Sequence, residues 1–183
     1  MTKIAAMLAD GFEEVEALAV IDILRRADIE THMISVSSSK RVTGAHNISI
    51  EADRLLENTA LEEYNGIFLP GGMPGTNNLD GCEKLCRTIL DFDKEKKLLA
   101  AICAAPKIYG RLGILKGKKA VCYPGYEACL TGAEVKMQSK VVKDGHVITS
   151  RGMGTAIDLG LALVEELKDK NISEELAAAI QYR

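Results

Sequence analysis

The sequence predicts a single α/β domain over residues 1–183, in which a mostly parallel sheet is covered by helices on both sides. Short apolar runs alternate along the chain with segments of helical spacing, and this alternation is typical of parallel sheets. The run 98–102 is apolar throughout, as expected for a strand that is buried on both faces. The length of 183 residues also fits one domain of ordinary size.

The strands are recognised as apolar runs that stop at turn residues. The first run ends at the turn Asp10-Gly11, and a later run ends in Pro70-Gly71-Gly72. The turn at 143–146 joins two further runs as a hairpin. We therefore predict strands at 3–9, 31–37, 66–69 and 98–102, a small excursion with alternating residues around 48–50, and strands on either side of 143–146.

The helices are recognised by apolar residues that recur every three to four positions, such as Leu85, Ile89 and Phe92. In the first helix only Glu16 and Asp22 are polar between residues 15 and 24. A helix so apolar around its circumference must bury more than one face, and we expect one face on the sheet and another against a second subunit. Helices are predicted at 13–27, at 83–95, from 104 onward, at 154–168 with Thr155 as N-cap, and at 173–180.

Composition and charge exclude several classes of function. The formal net charge is −3 and the basic residues are scattered, so we expect no nucleic-acid partner. The apolar run at the N-terminus is short and is followed at once by acidic residues. This pattern predicts neither a membrane span nor an export signal, and hence a cytoplasmic protein.

The five cysteines are expected to be reduced thiols, since no export signal is recognised. Cys82 and Cys86 are four residues apart, but no CxxC pair or histidine completes a zinc site, and we predict no bound metal. The sequence leaves the roles of Cys82, Cys86, Cys122 and Cys129 open. Cys103 differs from them because it directly follows a buried strand and precedes a helix.

Cys103, Gly71, Gly72 and Glu16 are predicted to meet at one edge of the sheet. The carboxyl ends of parallel strands lie at the same edge, where such folds bind their ligands. The free amides and dipole at a helix start favour the thiolate of Cys103 over the thiol. Two glycines after a strand let the backbone approach a ligand closely and offer N–H groups to an oxyanion.

Glu16 is the acidic member of this predicted group. It lies early in the first helix among apolar residues, so partial burial is expected to raise its pKa and keep it protonated. It would then donate a hydrogen bond to the sulfur or relay a proton. The alternative is a solvated acid in the first helical turn. By helical spacing, Glu13 and Glu14 are the acids that we expect to be solvated.

Four segments agree in order over nearly the whole chain with one known pattern: LADGFEEVEALAVIDILRRA, FLPGGMPGTNNL, AAICAAPKIYGRLGIL and TSRGMGTAIDLGLALVEEL. They closely resemble the ThiJ/PfpI superfamily, in particular the branch of YajL and the parkinsonism-associated DJ-one protein. The resemblance implies a flavodoxin-like (class I glutamine amidotransferase-like) three-layer sandwich and a homodimer through the first helix. It also implies a nucleophile-elbow Cys103 hydrogen-bonded to a protonated Glu16, with backbone donors from Gly71, Gly72 and Ala104.

The chain departs from the pattern of the superfamily beside the cysteine. Where some members carry a histidine before a proline, this chain has Tyr123, which is a poor base because its reference pKa is about 10. Ala104 follows the cysteine, whereas the protease-like branch has a histidine there, so proteolysis is not expected. His46, in the polar excursion, is a possible supporting residue together with Tyr123, provided that its ring reaches the site.

The resemblance further implies a stress-response protein that acts on small reactive carbonyls without a cofactor, as a glyoxalase or deglycase does. Cys103 would be the nucleophile and Glu16 the proton relay. The alternative is a redox sensor or chaperone whose Cys103 is oxidised to a sulfinate, with little turnover. A flavodoxin-type cofactor carrier is disfavoured, because the loop at 10–14 is acidic and the chain has no tryptophan to stack on a flavin. The physiological substrate stays open.

Overall fold

A computed structural model describes residues 2–182 and contains one central sheet of seven strands. In chain order the strands are β1 (Lys3–Leu8), β2 (Glu30–Ser35), β3 (Arg41–Thr43), β4 (Ser49–Glu51), β5 (Arg54–Leu55), β6 (Gly66–Leu69), β7 (Leu98–Ile102), β8 (Lys119–Ala120), β9 (Glu134–Val135), β10 (Val141–Asp144) and β11 (Val147–Ser150). The order in the central sheet is β10-β11-β7-β6-β1-β2-β5. Every neighbouring pair is parallel except the hairpin of β10 and β11. Strands β3 and β4 form a separate antiparallel hairpin, and β8 pairs with β9.

Helices cover both faces of the sheet. They are α1 (Glu14–Arg26), α2 (Gly75–Asp80), α3 (Glu83–Glu95), α4 (Pro106–Arg111), α5 (Ala156–Leu167) and α6 (Lys170–Ala179). One hydrophobic core lies between the sheet and α1, α5 and α6, and a second lies between the sheet and α2, α3 and α4. The predicted flavodoxin-like three-layer fold with a mostly parallel sheet is therefore confirmed.

The first strand shows how the sequence supplies both cores. Ile4, Ala6 and Leu8 belong to the core beneath α1, whereas Ala5 and Met7 belong to the opposite core. Successive side chains of a strand point to opposite faces, so a strand between two helical layers must be apolar at every position. This requirement explains the continuous apolar run that the sequence shows there.

The structure differs from the predicted elements where segments are too short to show a period. Helix α2 and the two-residue strands β5, β8 and β9 were not predicted. Helix α4 starts at Pro106, three residues after Cys103, because a turn intervenes. Thr155 is the N-cap of α5 as predicted, but its side chain makes no capping bond and its hydroxyl bonds Ser150 Oγ at 2.7 Å instead.

The loops after β1, β6 and β7 meet at one edge of the sheet, as the sequence predicts. The amide of Glu13, in the loop after β1, donates to the carbonyl of Gly71 at 2.9 Å. A methyl group built on Gly71, in the loop after β6, would lie 2.6 Å from Cys103 Cβ. The loop after β7, which starts at Cys103, is therefore in close contact with the loop after β6. Within residues 2–182, every helix is too short or too polar to cross a membrane.

Candidate active site at the carboxyl ends of the strands

Cys103 occupies a tight elbow between β7 and α4. Its backbone has φ of 63°, in the left-handed region that residues with a side chain rarely adopt. The conformation is held on both sides, because the Cys103 amide donates to Ser150 O at 3.0 Å and its carbonyl accepts from the Tyr123 amide at 2.9 Å. Such strained positions persist only when the surroundings impose them, and they cluster at functional sites.

Glu16 approaches the sulfur from α1. The residue is only 1% exposed, and its carboxyl group and the Cys103 thiol are hydrogen-bonded to each other. The Gly71 amide donates to Glu16 Oε2 at 2.9 Å. A methyl group on Gly71 would lie 2.6 Å from that oxygen and equally close to Cys103 Cβ, so only glycine leaves room for the pair.

The sulfur also accepts hydrogen bonds from two backbone amides, those of Gly72 and Ala104. Gly72 has φ of +89°, and a Cβ there would lie 2.3 Å from the Glu13 amide nitrogen. Gly72 and Ala104 are therefore the predicted backbone donors at the sulfur. Gly71, which was predicted in the same role, donates to the acid instead.

Burial dominates the ionisation of both groups. It raises the pKa of Glu16 from its ordinary 4.5 to about 7, against hydrogen bonds from Cys103 and from the Gly71 amide. Burial, followed by the charge of Glu16 and the hydrogen bond to it, raises the pKa of Cys103 to about 12. The expected raised pKa of Glu16 is thus present. The expected low pKa of Cys103 is wrong, because burial and the neighbouring charge outweigh the two amides and the six-residue helix α4.

The two groups titrate as a pair because they share a hydrogen bond. Between about pH 7 and pH 12 the pair carries one negative charge and retains one proton. When that proton resides on Glu16, the sulfur is a thiolate that accepts hydrogen bonds from the carboxyl group and from the Gly72 and Ala104 amides. In that protonation state the pair presents a nucleophilic sulfur.

A cavity of about 690 Å³ opens in front of Cys103. It is lined by residues from the loops after β1, β6 and β7, from α1, from the loop between β3 and β4, and from the segments after β8, before β10 and after β11: Glu13, Glu16, His46, Gly72, Cys103, Tyr123, Pro124, Lys140, Arg151, Gly152, Met153, Gly154 and Thr155. Both supporting residues named from the sequence, His46 and Tyr123, lie in this lining. The cavity has room for a small organic substrate beside the sulfur.

Glu14 is buried, and its assignment as a solvated acid is wrong. Its side chain is 4% exposed, since the loop between β3 and β4 folds over it. Burial alone would raise the pKa of Glu14, but hydrogen bonds from the His46 side chain and from backbone amides lower it below its usual range. Helical spacing does not reveal this contact, because the covering loop comes from 30 residues further along the chain.

Glu13, Glu14 and His46 form the one group of three potential metal ligands in the described part of the chain, with ligand atoms within 4.8 Å of one another. His46 Nδ1 lies 3.0 Å from Glu14 Oε2 and 3.3 Å from Glu13 Oε2. These contacts satisfy the hydrogen-bonding capacity of the ring nitrogen. The hydrogen bond to Glu14 and the charges of both acids raise the pKa of His46.

The segment after β11 forms one side of the cavity, and the sequence did not predict this. Arg151, Gly152 and Met153 line the cavity, and a methyl group on Gly152 would lie 3.1 Å from the Tyr123 ring. From the sequence, a turn before a helix is the preferred interpretation of this segment, and a role for Arg151 in orienting Glu13 or Glu14 is left open. The contribution of this segment to the cavity could have been predicted from the pairing of β11 with β7. Because the two strands are parallel, the carboxyl end of β11 lies at the same edge of the sheet as Cys103.

The other four cysteines lie outside the cavity lining. Cys86 is buried, accepts a hydrogen bond from Arg111 Nη2 at 3.2 Å and donates to the Asp80 carbonyl at 3.3 Å. Burial raises the pKa of Cys122 to about 12, whereas Cys129 is exposed. Of the five thiols, only Cys103 is placed to meet a ligand in this cavity.

Comparison with known proteins agrees with this architecture. The sequence profile of the DJ-1/PfpI family matches residues 2–166. Protein DJ-1 homolog B of Arabidopsis thaliana is 36% identical over 182 residues, which are 99% of this chain but only 42% of that protein, so the chain spans less than half of this relative. Deglycase PH1704 of Pyrococcus horikoshii is 31% identical over 153 residues, covering 81% of this chain and 89% of the relative. The solved structure of oxidized Toxoplasma gondii DJ-1 superposes with a TM-score of 0.92 at 32% identity, covering 99% and 98% of the two chains.

We expect the alkylation rate of Cys103 to rise in two steps: the first has its midpoint near pH 7, where the pair loses its first proton, and the second follows at much higher pH, where the pair loses its second. A free cysteine would titrate near pH 8.5. Below the midpoint the sulfur is a thiol, and above it part of the population is thiolate. In Glu16→Gln the midpoint should move up, because the amide cannot hold the proton and burial then opposes the thiolate alone.

Peptide mass spectrometry after timed iodoacetamide treatment measures this profile at each cysteine. Cys129, exposed and outside the cavity lining, serves as the internal control. A midpoint that moves down in Glu16→Gln would show that Glu16 only repels the thiolate, and would contradict the shared proton.

Proposed function

The chain belongs to the DJ-1/PfpI family, and we propose that it is a cofactor-independent stress-response enzyme that converts small 2-oxoaldehydes into 2-hydroxy acids. The observation that carries this proposal is the Cys103–Glu16 pair at the base of an open cavity. The Pyrococcus horikoshii relative is named as a deglycase, which supports carbonyl chemistry of this class. The five free cysteines fit a reducing compartment, and we propose the cytoplasm.

The first step is attack by the sulfur. Cys103 Sγ bonds to the aldehyde carbon, and the π electrons of the carbonyl move to its oxygen. The Gly72 and Ala104 amides, which already point at the sulfur, stabilise the negative charge that develops beside it. Glu16 passes the thiol proton to this oxygen, which yields a neutral hemithioacetal. A pKa of about 7 suits Glu16 for transfer in both directions at neutral pH.

The second step is an internal redox isomerisation. Glu16 removes the proton from the former aldehyde carbon, which leaves an enediolate with its negative charge on the former ketone oxygen. Glu16 then returns this proton to the former ketone carbon, while the hydroxyl proton on the carbon bonded to sulfur moves to the former ketone oxygen. The product is a thioester that carries a hydroxyl group. Water then cleaves the thioester, which releases the 2-hydroxy acid and restores the Cys103 thiol. One water is consumed, one carbon is oxidised while its neighbour is reduced, and no cofactor takes part.

A second candidate function is redox sensing at the same sulfur. Cys103 is partly exposed in an open cavity, so a peroxide reaches it. One hydrogen peroxide converts the thiolate to a sulfenate, and a second converts this to a sulfinate, each with release of one water. A protonated Glu16 and the Gly72 and Ala104 amides are in place to donate hydrogen bonds to sulfinate oxygens.

We also propose a homodimer through α1. Among the described residues, the large apolar side chains that are exposed include Val15 at 49% and Leu18 at 36%. These two lie three positions apart on one face of α1, and Ile48, 55% exposed, adjoins that face through the hydrogen bond of its amide to Glu14. We refer to these three exposed side chains as the apolar patch, and exposed apolar side chains grouped in this way are typical of a protein–protein interface.

For the enzymatic function, we expect Cys103→Ser to abolish the conversion of methylglyoxal to lactate. Glu16→Gln should lower kcat by at least about 100-fold, the usual contribution of a positioned acid or base. Cys129→Ser is the matched control, because that thiol lies outside the cavity lining. Lactate formation followed by chromatography measures the effect, and equal rates for the two serine variants would refute nucleophilic catalysis by Cys103.

For the redox function, mild hydrogen peroxide should produce a sulfinate on Cys103 before any other cysteine. Glu16→Leu should suppress it by removing the hydrogen-bond donor, while oxidation of the exposed Cys129 stays unchanged. Peptide mass spectrometry locates the added oxygens. Even oxidation of all five cysteines would exclude a dedicated sensor.

For the dimer, sedimentation velocity should show a dimer that Leu18→Glu dissociates, because a charge would be buried in the apolar patch. Thr88→Glu on α3, distant in sequence from the patch, is the control and should leave the association unchanged. A monomer for the unmodified chain at micromolar concentration would rule out the interface.

A further inference from the structure

The mechanism above leaves one buried acid without a role. Glu14 is as deeply buried as Glu16, but it points to the loop between β3 and β4 rather than to the sulfur. Its carboxylate accepts hydrogen bonds from the His46 amide at 2.8 Å and from the Ile48 amide at 3.4 Å. Burying a carboxylate is costly unless it is fully paired, so this contact organises the loop.

The ring of His46 is the third partner of this carboxylate. Nδ1 lies 3.0 Å from Glu14 Oε2, and the loop itself is closed by the Gly44 amide donating to the Ile48 carbonyl at 3.0 Å. Gly44 is tight against the acid, since a methyl group there would meet the Glu14 carboxyl carbon at 2.3 Å. Backbone and ring contacts together fix the position of the imidazole, with Nδ1 engaged and Nε2 left for other partners.

His46 lines the same cavity as Cys103 and Glu16. The charged groups that face this cavity besides the nucleophile pair are Glu13, Lys140 and Arg151, and Lys140 is bonded to Asp158 at 3.3 Å. Glu13 and Glu14 contact the imidazole directly and favour its protonated form. An imidazole whose protonated form is favoured by two acids therefore lies at the rim of the cavity that holds Cys103.

We propose that His46 is the second proton-transfer group of the site and that Glu14 is the residue that positions it. This inference rests on the proposed dicarbonyl turnover and adds a second proton path to it. A carboxylate that orients a histidine through Nδ1, leaving Nε2 to exchange protons with the substrate, is a recurrent catalytic arrangement. Here His46 exchanges a proton with the ketone oxygen, while Glu16 exchanges a proton with the carbon atoms of the substrate.

With His46 in this role, every proton that moves during the isomerisation has a donor and an acceptor. The His46 imidazolium gives a proton to the ketone oxygen as the Glu16 carboxylate removes the proton from the hemithioacetal carbon. This yields the enediol, neutral His46 and protonated Glu16. Glu16 then delivers its proton to the neighbouring carbon, and the hydroxyl on the carbon bonded to sulfur returns its proton to His46 as the thioester carbonyl forms. Both residues end in the state in which they began.

Three variants test the assignment. His46→Ala should lower kcat for methylglyoxal by about 100-fold, and Glu14→Gln by about tenfold or more, because the amide keeps the shape but not the charge. His46 is 69% exposed as a side chain, so its removal leaves the core intact. Asp93→Asn is the matched control, since Asp93 bonds His146 at 2.7 Å and neither residue lines the cavity.

Two readouts separate proton transfer from a structural role. Added imidazole should restore turnover to His46→Ala but not to Cys103→Ser. The pKa of His46, followed by nuclear magnetic resonance in a chain with only three histidines, should fall in Glu14→Gln and stay unchanged in Asp93→Asn. Sedimentation of each variant checks that its association state matches that of the unmodified chain.

Each alternative result has a distinct meaning. Full activity of His46→Ala, in a chain whose unmodified form turns over methylglyoxal, overturns the role of His46 and leaves the proposed function standing. Loss of activity that imidazole does not rescue, with unchanged alkylation of Cys103, overturns proton transfer by His46. Inhibition by a chelator would assign the cluster to a metal ion and also overturn the proposal. No turnover by the unmodified chain overturns the proposed function itself, and this inference with it.

Discussion

The site depends on one close approach, in which the backbone of Gly71 lies against both Cys103 and Glu16. A single methyl group at that position would meet both residues at 2.6 Å, well inside van der Waals contact. Without it, the acid and the sulfur share a hydrogen bond, and the Gly71 amide anchors the carboxyl group at 2.9 Å. Because Gly71 has no side chain, Glu16 of α1 can form a hydrogen bond with Cys103 at the elbow.

Burial of this pair sets its chemistry and also costs stability. An acid whose pKa rises from 4.5 to about 7 destabilises the folded state once the unfolded chain has released its proton, above about pH 4.5. The amides of Gly71 and Met153 offset part of that cost by hydrogen bonding to the carboxyl group. This unfavourable burial holds an acid against the sulfur, and such conflicts between stability and local chemistry are expected at functional sites.

Much of the site was readable from the sequence because it follows from topology. Parallel strands end at one edge, so Cys103 after β7, Gly72 after β6 and Glu16 after β1 had to converge. What the sequence did not reveal depends on contacts made by irregular segments. Glu14 is covered by a loop whose position cannot be predicted from sequence periodicity. The pKa of Cys103 depends on how deeply the elbow is buried rather than on its position before a helix.

Helix α1 connects the cysteine site, the loop that carries His46 and the apolar patch, because different faces of its first two turns contact each of them or are exposed. Glu14 faces the loop that carries His46, and Glu16 faces the sulfur two residues later. Val15 and Leu18 face outward, while Ala17 and Val20 pack into the core beneath the helix. A small rotation of α1 would therefore displace Glu16, the loop that carries His46 and the apolar patch together. The position of α1 against the sheet is consequently a condition of the proposed chemistry as well as of the fold.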